Sequence, residues 1–281
     1  MARRPRIALL AALACVAGLA VTLVLAYFTP PFRGRDAASL QGFIDLNRPH
    51  LAPLIAQVAH LANPVPYGLI GLALVVVALA RGRGRVAGAI AAVLIGSVVT
   101  TETLKPLLSH PRPQEWLGDG QIAAASWPSG HATAAMALAL CGVLAVSARW
   151  RPAAAAVGGV FALAVSYAIL VLGWHFPSDV IGGFLVAALW TSLAVAGVAL
   201  ADERWAPQAR ERRSPSAIST GAPRVVVAAA VFAAVLIALD RPRTVAAYAQ
   251  EHPAFLLGAT GLAILAAVLT AAASAVTTAR R

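Results

Sequence analysis

Charge is what this sequence is shortest of. Asp, Glu, Lys and Arg make up 12% of its 281 residues, about half the share in a soluble globular chain. Hydrophobic residues make up 60% and the mean hydropathy is +0.79. That balance excludes an ordinary soluble domain and points to a chain built for lipid. Cysteine is nearly absent. Cys15 and Cys141 both fall inside apolar runs, which excludes a disulfide framework and a cysteine metal site and leaves packing as their role. There is no His-Glu-x-x-His segment, no acidic cluster and no internal repeat.

The formal charge of +11 raises the question of nucleic acid, and its distribution answers it. With the N-terminus cytoplasmic and apolar runs alternating across the bilayer, the inner segments hold fifteen bases and three acids, a net of +12. The outer segments hold seven bases and eight acids, a net of −1. This is the positive-inside pattern at every inner segment. Topology and attraction to anionic lipid account for the charge, and no nucleic acid partner is expected.

The apolar runs predict an all-α integral membrane protein. Arg3, Arg4 and Arg6 precede an unbroken run from Ile7 to Phe28. It is longer than a signal-peptide core and reads as an uncleaved first span. Pro30 and Pro31 close it, and Asp36 to His50 reads as an interfacial helix on the outer surface, with His50 and His60 as solvated interface histidines. Further spans are expected at Val65 to Ala80, Val86 to Leu104, Pro128 to before Arg149, Ala153 to Trp174, and Pro177 to Leu200. Val225 to Leu239 and Ala254 to Val276 then read as a closing pair. The division is a six-span core over 1–200, a basic cytoplasmic linker over 201–224, and an accessory two-helix hairpin over 225–281.

On this topology three polar clusters reach the outer face: Lys105 with Arg112-Pro113; Pro128-Ser129-Gly130-His131; and His175-Phe176-Pro177-Ser178-Asp179. Pro128 at the first helical position would leave the amides of Ser129, Gly130 and His131 unpaired at the positive end of a helix dipole, which is an anion site. Gly130 lets an anion approach the backbone, and Ser129 adds a hydroxyl. His131 then projects from the first turn. Pro177 in the same position makes Asp179 a first-turn acid within reach of His175. A carboxylate on one ring nitrogen fixes the tautomer and frees the other nitrogen to attack. The plainer reading of this pair is a capping Asp beside an interfacial His. Lys105 and Arg112 supply positive charge, and Arg suits phosphate because its fork bonds two oxygens. Glu102 most simply pairs with Lys105. His110 shares the loop, more simply solvated than touching substrate. Two histidines, a carboxylate and an anion cradle suit phosphoryl transfer through a covalent intermediate. A metal site is the rival use of the same residues, and the missing ligand motifs speak against it.

Lys105 followed after six residues by Arg112-Pro113, then Pro128-Ser129-Gly130-His131, then His175 and Asp179, resembles the type 2 phosphatidic acid phosphatase (PAP2) superfamily. That superfamily also includes vanadium haloperoxidases and bacterial undecaprenyl-diphosphate phosphatases. The resemblance covers about Ile7 to Leu200. It implies a membrane lipid phosphatase with His175 as nucleophile, Asp179 orienting it and His131 as general acid. Lys105, Arg112, Ser129 and Gly130 would bind phosphate, with no cofactor and no metal. It implies a lipid phosphate or polyprenyl diphosphate as substrate and the bilayer as surroundings, with no obligate protein partner. The expected setting is the inner (plasma) membrane, with both termini cytoplasmic and the site on the outer face. One departure counts. The third motif of the family begins with Ser-Arg, and here those positions are Ala168 and Ile169. Losing such a donor costs roughly 10²–10³ in rate. Two alternatives therefore stand beside hydrolysis: an impaired lipid-phosphate binding or transport protein, and a lipid phosphotransferase. Arg241 or Arg243 of the last outer loop is a candidate substitute cation.

Overall fold

The computed structural model describes residues 3–112, 122–205 and 242–278. Among them there is no strand, and ten α-helices carry the fold. They are α1 (Arg3–Phe28), α2 (Pro30–Ile44), α3 (Ala52–His60), α4 (Pro64–Ala80), α5 (Gly84–Leu107), α6 (Gly130–Ala145), α7 (Arg151–Val171), α8 (Pro177–Arg204), α9 (Pro242–Glu251) and α10 (Pro253–Thr278). Prolines open α2, α4, α8, α9 and α10, where the missing N–H costs nothing and the fixed φ fits the helix.

Among the described residues five segments are long and apolar enough to cross a membrane: Pro5–Phe28, Gly84–Leu107, Ala148–Val171, Pro177–Arg204 and Pro253–Thr277. The chain is a multi-pass membrane protein. The expected second span is one limb of a broken pair, with α3 and α4 meeting at 47°. The interfacial helix expected over Asp36 to His50 is instead α2, which begins at Pro30 and ends at Ile44. The expected seventh span, Val225 to Leu239, and most of the linker lie outside the described residues. The last helix is packed into the bundle: α10 contacts α7, α2, α6 and α8.

The expected fourth span differs most. Helix α6 has 16 residues, about 24 Å at 1.5 Å per residue, too short for a hydrocarbon core of about 30 Å. It does not need that length. Every residue from Ala132 to Ala145 except Gly142 is buried, with α7, α8, α5 and α4 around it. Its many alanines let the surrounding helices come close, so α6 is the axis of the bundle and lipid meets its neighbours.

Two features set the end of the bundle where α5 stops and α6 and α8 start. Gly182 and Gly183 on α8 let the start of α6 lie directly against it. A Cβ at 182 would come within 2.7 Å of Trp127 Nε1, and one at 183 within 2.7 Å of the Ser129 carbonyl oxygen. Gly173 ends α7 with a positive φ of 70°, and the Trp174 amide donates back to the Ile169 carbonyl at 2.9 Å. This six-to-one bond across a left-handed glycine is a Schellman stop. It turns the chain and delivers His175 to the mouth of α8.

Candidate active site

The three clusters converge, and each pair is tied by a specific contact. The Ser129 amide donates to the Asp179 carbonyl at 2.9 Å, joining the starts of α6 and α8. Arg112 Nη2 donates to Asp179 Oδ1 at 2.6 Å. Lys105 Nζ lies so near Gly130 that a Cβ there would be 3.1 Å from it. Residues 105, 112, 129–131 and 175–179 thus share one end of the bundle.

At the start of α6 the local structure departs from expectation. Pro128 is not the first helical residue. Ser129 is the N-cap, with φ −67° and ψ 123°, and its Oγ accepts from the Ala132 amide at 3.4 Å. A side-chain cap outcompetes proline here because it satisfies a donor that proline leaves orphaned. With the Ser129 amide spent on Asp179, the anion-facing amides reduce to Gly130 and His131, the first two of the helix. Ser129 Oγ keeps its hydrogen to donate. Lys105 sits in the last turn of α5, which continues through Pro106 instead of stopping before it. Its ammonium pairs with Glu102 Oε1 at 2.6 Å, as expected, and the glutamate is mostly exposed.

At the start of α8, Pro177 occupies the first helical position and Asp179 the third. Asp179 is fully buried. Its Oδ2 accepts from the Phe176 amide at 3.0 Å and faces His175 Nδ1 at 3.3 Å. With the carboxylate on Nδ1, the Nε2 lone pair of His175 is the one left for an incoming electrophile.

Arg112 lies inside this end of the bundle, against its acids. It was expected to face the bound anion, and its described hydrogen bonds all go inward. Nη1 donates to Ser178 Oγ at 3.0 Å and to Asp36 Oδ2 at 3.5 Å. Nη2 donates to Ser126 Oγ at 2.7 Å as well as to Asp179. The guanidinium also lies 3.9 Å from the Phe176 ring centre and 5.5 Å from that of Tyr27. A guanidinium with 5% side-chain exposure between two carboxylates is a clamp on Asp179. Asp36 is the second acid that this guanidinium meets, beside Asp179.

His131 stands beside this pair. Its Nε2 is 3.1 Å from Asn63 Oδ1, at the break between α3 and α4. Its ring centre is 5.6 Å from that of Trp174, the residue before His175. His60 also stacks on Trp174, at 6.1 Å. His110 packs instead against Tyr27 and Phe28, at 5.3 and 5.8 Å. Ile169 is fully buried, so no cation stands at the third-motif position. Arg241 and the side chain of Arg243 lie outside the described residues. Among the described residues no group of three or more His, Cys, Asp and Glu is arranged to hold a metal ion.

Sequence reasoning assigned no role at the site to Asp36, Ser126, Ser178, Asn63 or the Gly182-Gly183 pair. For Asp36 a signal existed. Asp36, Ser39, Leu40 and Phe43 fall at helical i, i+3, i+4 and i+7, and all four are buried, so the acid shares the face of the apolar anchors.

No curated protein matches the chain. A model of the "PAP2 superfamily" matches residues 85–203. A solved structure, described as that of the first transmembrane PAP2 type phosphatidylglycerolphosphate phosphatase from Bacillus subtilis, is similar with 20% identity and a TM-score of 0.50. The match covers 69% of this chain and 96% of that one. At that identity the likeness speaks for the fold. The family model spans the ends of α5, α6 and α8 that carry Lys105, Arg112, His131, His175 and Asp179, and over this core the chain is similar to the PAP2 superfamily.

Proposed function

We propose that the protein is an integral-membrane phosphatase that hydrolyses a phosphate monoester or diphosphate carried by a lipid or polyprenol. The observation that carries this reading is the Arg112–Asp179–His175 chain, with contacts of 2.6 and 3.3 Å, ending beside the Lys105–Gly130 cradle. The substrate phosphate lies against the amides of Gly130 and His131, the Ser129 hydroxyl and the Lys105 ammonium, where backbone dipole and charge stabilise its equatorial oxygens. His175 Nε2 forms the bond to phosphorus as the bond to the lipid oxygen breaks, and His131 gives that oxygen a proton. Water then attacks the phosphohistidine, His131 takes the water's proton, and inorganic phosphate leaves with His175 restored. Asn63, as an acceptor from Nε2, holds the His131 proton in place before substrate arrives. The charge pattern of the sequence supports a site at the outer face of the inner membrane with both termini in the cytoplasm. A phosphatidylglycerol phosphate, the substrate named for the Bacillus subtilis structure, belongs in the same panel as phosphatidic acid and undecaprenyl diphosphate.

Two observations favour a slower enzyme or a binding protein as the second reading: Ile169 is fully buried, and Arg112 is committed to carboxylates. An Ile169→Arg variant would not discriminate the two, because the new guanidinium would enter the core at a cost of several kcal/mol. The test is phosphate release from the lipid panel by detergent-purified protein in the presence of a chelator. Wild type releases phosphate, and His175→Ala loses about 10⁴-fold or more. Lipid binding without turnover supports the second reading, a labelled phospholipid product supports the phosphotransferase, and equal turnover by His175→Ala refutes the assignment of His175.

A further inference from the structure

The matched family segment begins at residue 85, yet a charged group beneath the site comes from α2, some fifty residues earlier in the chain. Asp36 has 4% side-chain exposure. Its Oδ1 accepts from the Ser178 amide at 3.0 Å, and its Oδ2 from the Ser178 hydroxyl at 2.5 Å. The same Oδ2 is 3.5 Å from Arg112 Nη1. Ser178 in turn accepts from Arg112. Two carboxylates, Asp36 and Asp179, therefore share one guanidinium, and only Asp179 touches a histidine of the site.

We propose that Asp36 is a positioning residue for the reaction: it holds Arg112 and the first turn of α8 so that Asp179 presents its second oxygen to His175. This deepens the phosphatase reading and rests on it for its consequence in rate. Three arguments support the role. First, the Asp36 bonds anchor Ser178, the residue between Pro177 and Asp179, at both its amide and its hydroxyl. Second, an arginine shared between two acids pulls less charge from Asp179 than one bound to Asp179 alone, so the carboxylate keeps more of its negative charge for the imidazolium that forms during proton movement. Third, the ionised form of Asp36 is costly to keep. Burial pushes its carboxyl up to about 6, against the opposing pull of Ser178 and Arg112. The folded state thus holds this proton more tightly than the unfolded chain. The stabilisation from that proton is complete below the ordinary value of 3.8 and is lost as pH rises through about 6. The charged groups facing Asp36 are Arg112 and Asp179, with His175 one contact further on.

The experiment uses full-length protein in detergent with ¹³C-labelled histidine. Of the six histidine signals, that of His175 is assigned by its loss in His175→Ala. In Asp36→Asn, which keeps shape and removes charge, the titration midpoint of His175 moves to lower pH by about half a unit or more, because a negative charge that favours the imidazolium is gone. The acid limb of the rate profile moves the same way. Asp36→Glu, which restores the charge, returns the midpoint toward wild type. An unchanged midpoint in Asp36→Asn, or equal shifts in both variants, overturns the proposal and leaves Asp36 a packing residue. If Asp36→Asn does not fold, the wild-type curve decides. It carries a second inflection near pH 6 as Asp36 titrates, and a single-site curve contradicts the coupling. Because the signal is read without turnover, a shift with no phosphate released from any lipid sustains the positioning role and refutes the phosphatase reading. Turnover with no shift does the opposite.

Discussion

The two ends of this bundle solve the same electrostatic problem in opposite ways. At the end away from the site, helix C-termini meet arginines. Arg83 donates to the carbonyls of Ala145 and Val146 at the end of α6, at 3.0 and 3.2 Å. Arg151 donates to Thr277 near the end of α10 at 2.6 Å, and Arg85 pairs with Asp202 at the end of α8 at 2.8 Å. The negative ends of the dipoles are answered by the protein's own cations. At the site end, helices α6 and α8 present N-termini. Asp179 answers the α8 terminus from within. The α6 terminus, with the Gly130 and His131 amides beside Lys105, is left to a ligand. Among the described residues, one end is closed by self-satisfaction, and the other leaves the mouth of α6 open. That difference is what makes the second end a site.

The comparison breaks most severely at Arg112. Arg112→Ala leaves Asp36 and Asp179 buried without their shared cation, a change that costs about 3–5 kcal/mol of stability. It is expected to show as a large fall in melting temperature together with loss of phosphate release. Lys105→Ala acts on the open mouth alone. Phosphate release falls roughly 10²–10³-fold while the melting temperature stays near wild type, since the ammonium's one described partner is the mostly exposed Glu102. A melting temperature that collapses with the activity would place Lys105 in the scaffold instead. Arg83→Ala acts on the closed end. It is expected to cost about 1–3 kcal/mol, the worth of hydrogen bonds from a charged group, with phosphate release per folded molecule unchanged. A selective loss of rate in Arg83→Ala would mean that the two ends are coupled through α6.

Much of this was legible in the sequence because membrane proteins write topology in plain terms. Apolar runs gave the spans, and polar knots at their ends could meet only if the runs alternated. The His175–Asp179 contact followed from Pro177 opening a helix, and the Glu102–Lys105 pair from helical spacing. The parts that were not legible are those in which one side chain has two uses. Arg112 suits a phosphate or a buried carboxylate equally well, and only the packing of α2 against α8 brings Asp36 to it. Pro128 and Ser129 both compete to begin a helix, and the contact of the Ser129 amide with the Asp179 carbonyl fixes Ser129 as the cap. Helix α6 looked like a full span because its sequence is apolar throughout. Enclosure by its neighbours explains the same composition with a shorter helix.

The central claim is that a single imidazole, His175, takes the phosphoryl group at this mouth. Rapid quenching of the protein with a ³²P-labelled lipid phosphate tests it directly. The account predicts an acid-labile, base-stable phosphohistidine that maps to residue 175 and is absent from His175→Ala. Label on any other residue, or phosphate release at wild-type rate with no labelled protein at any time point, contradicts it.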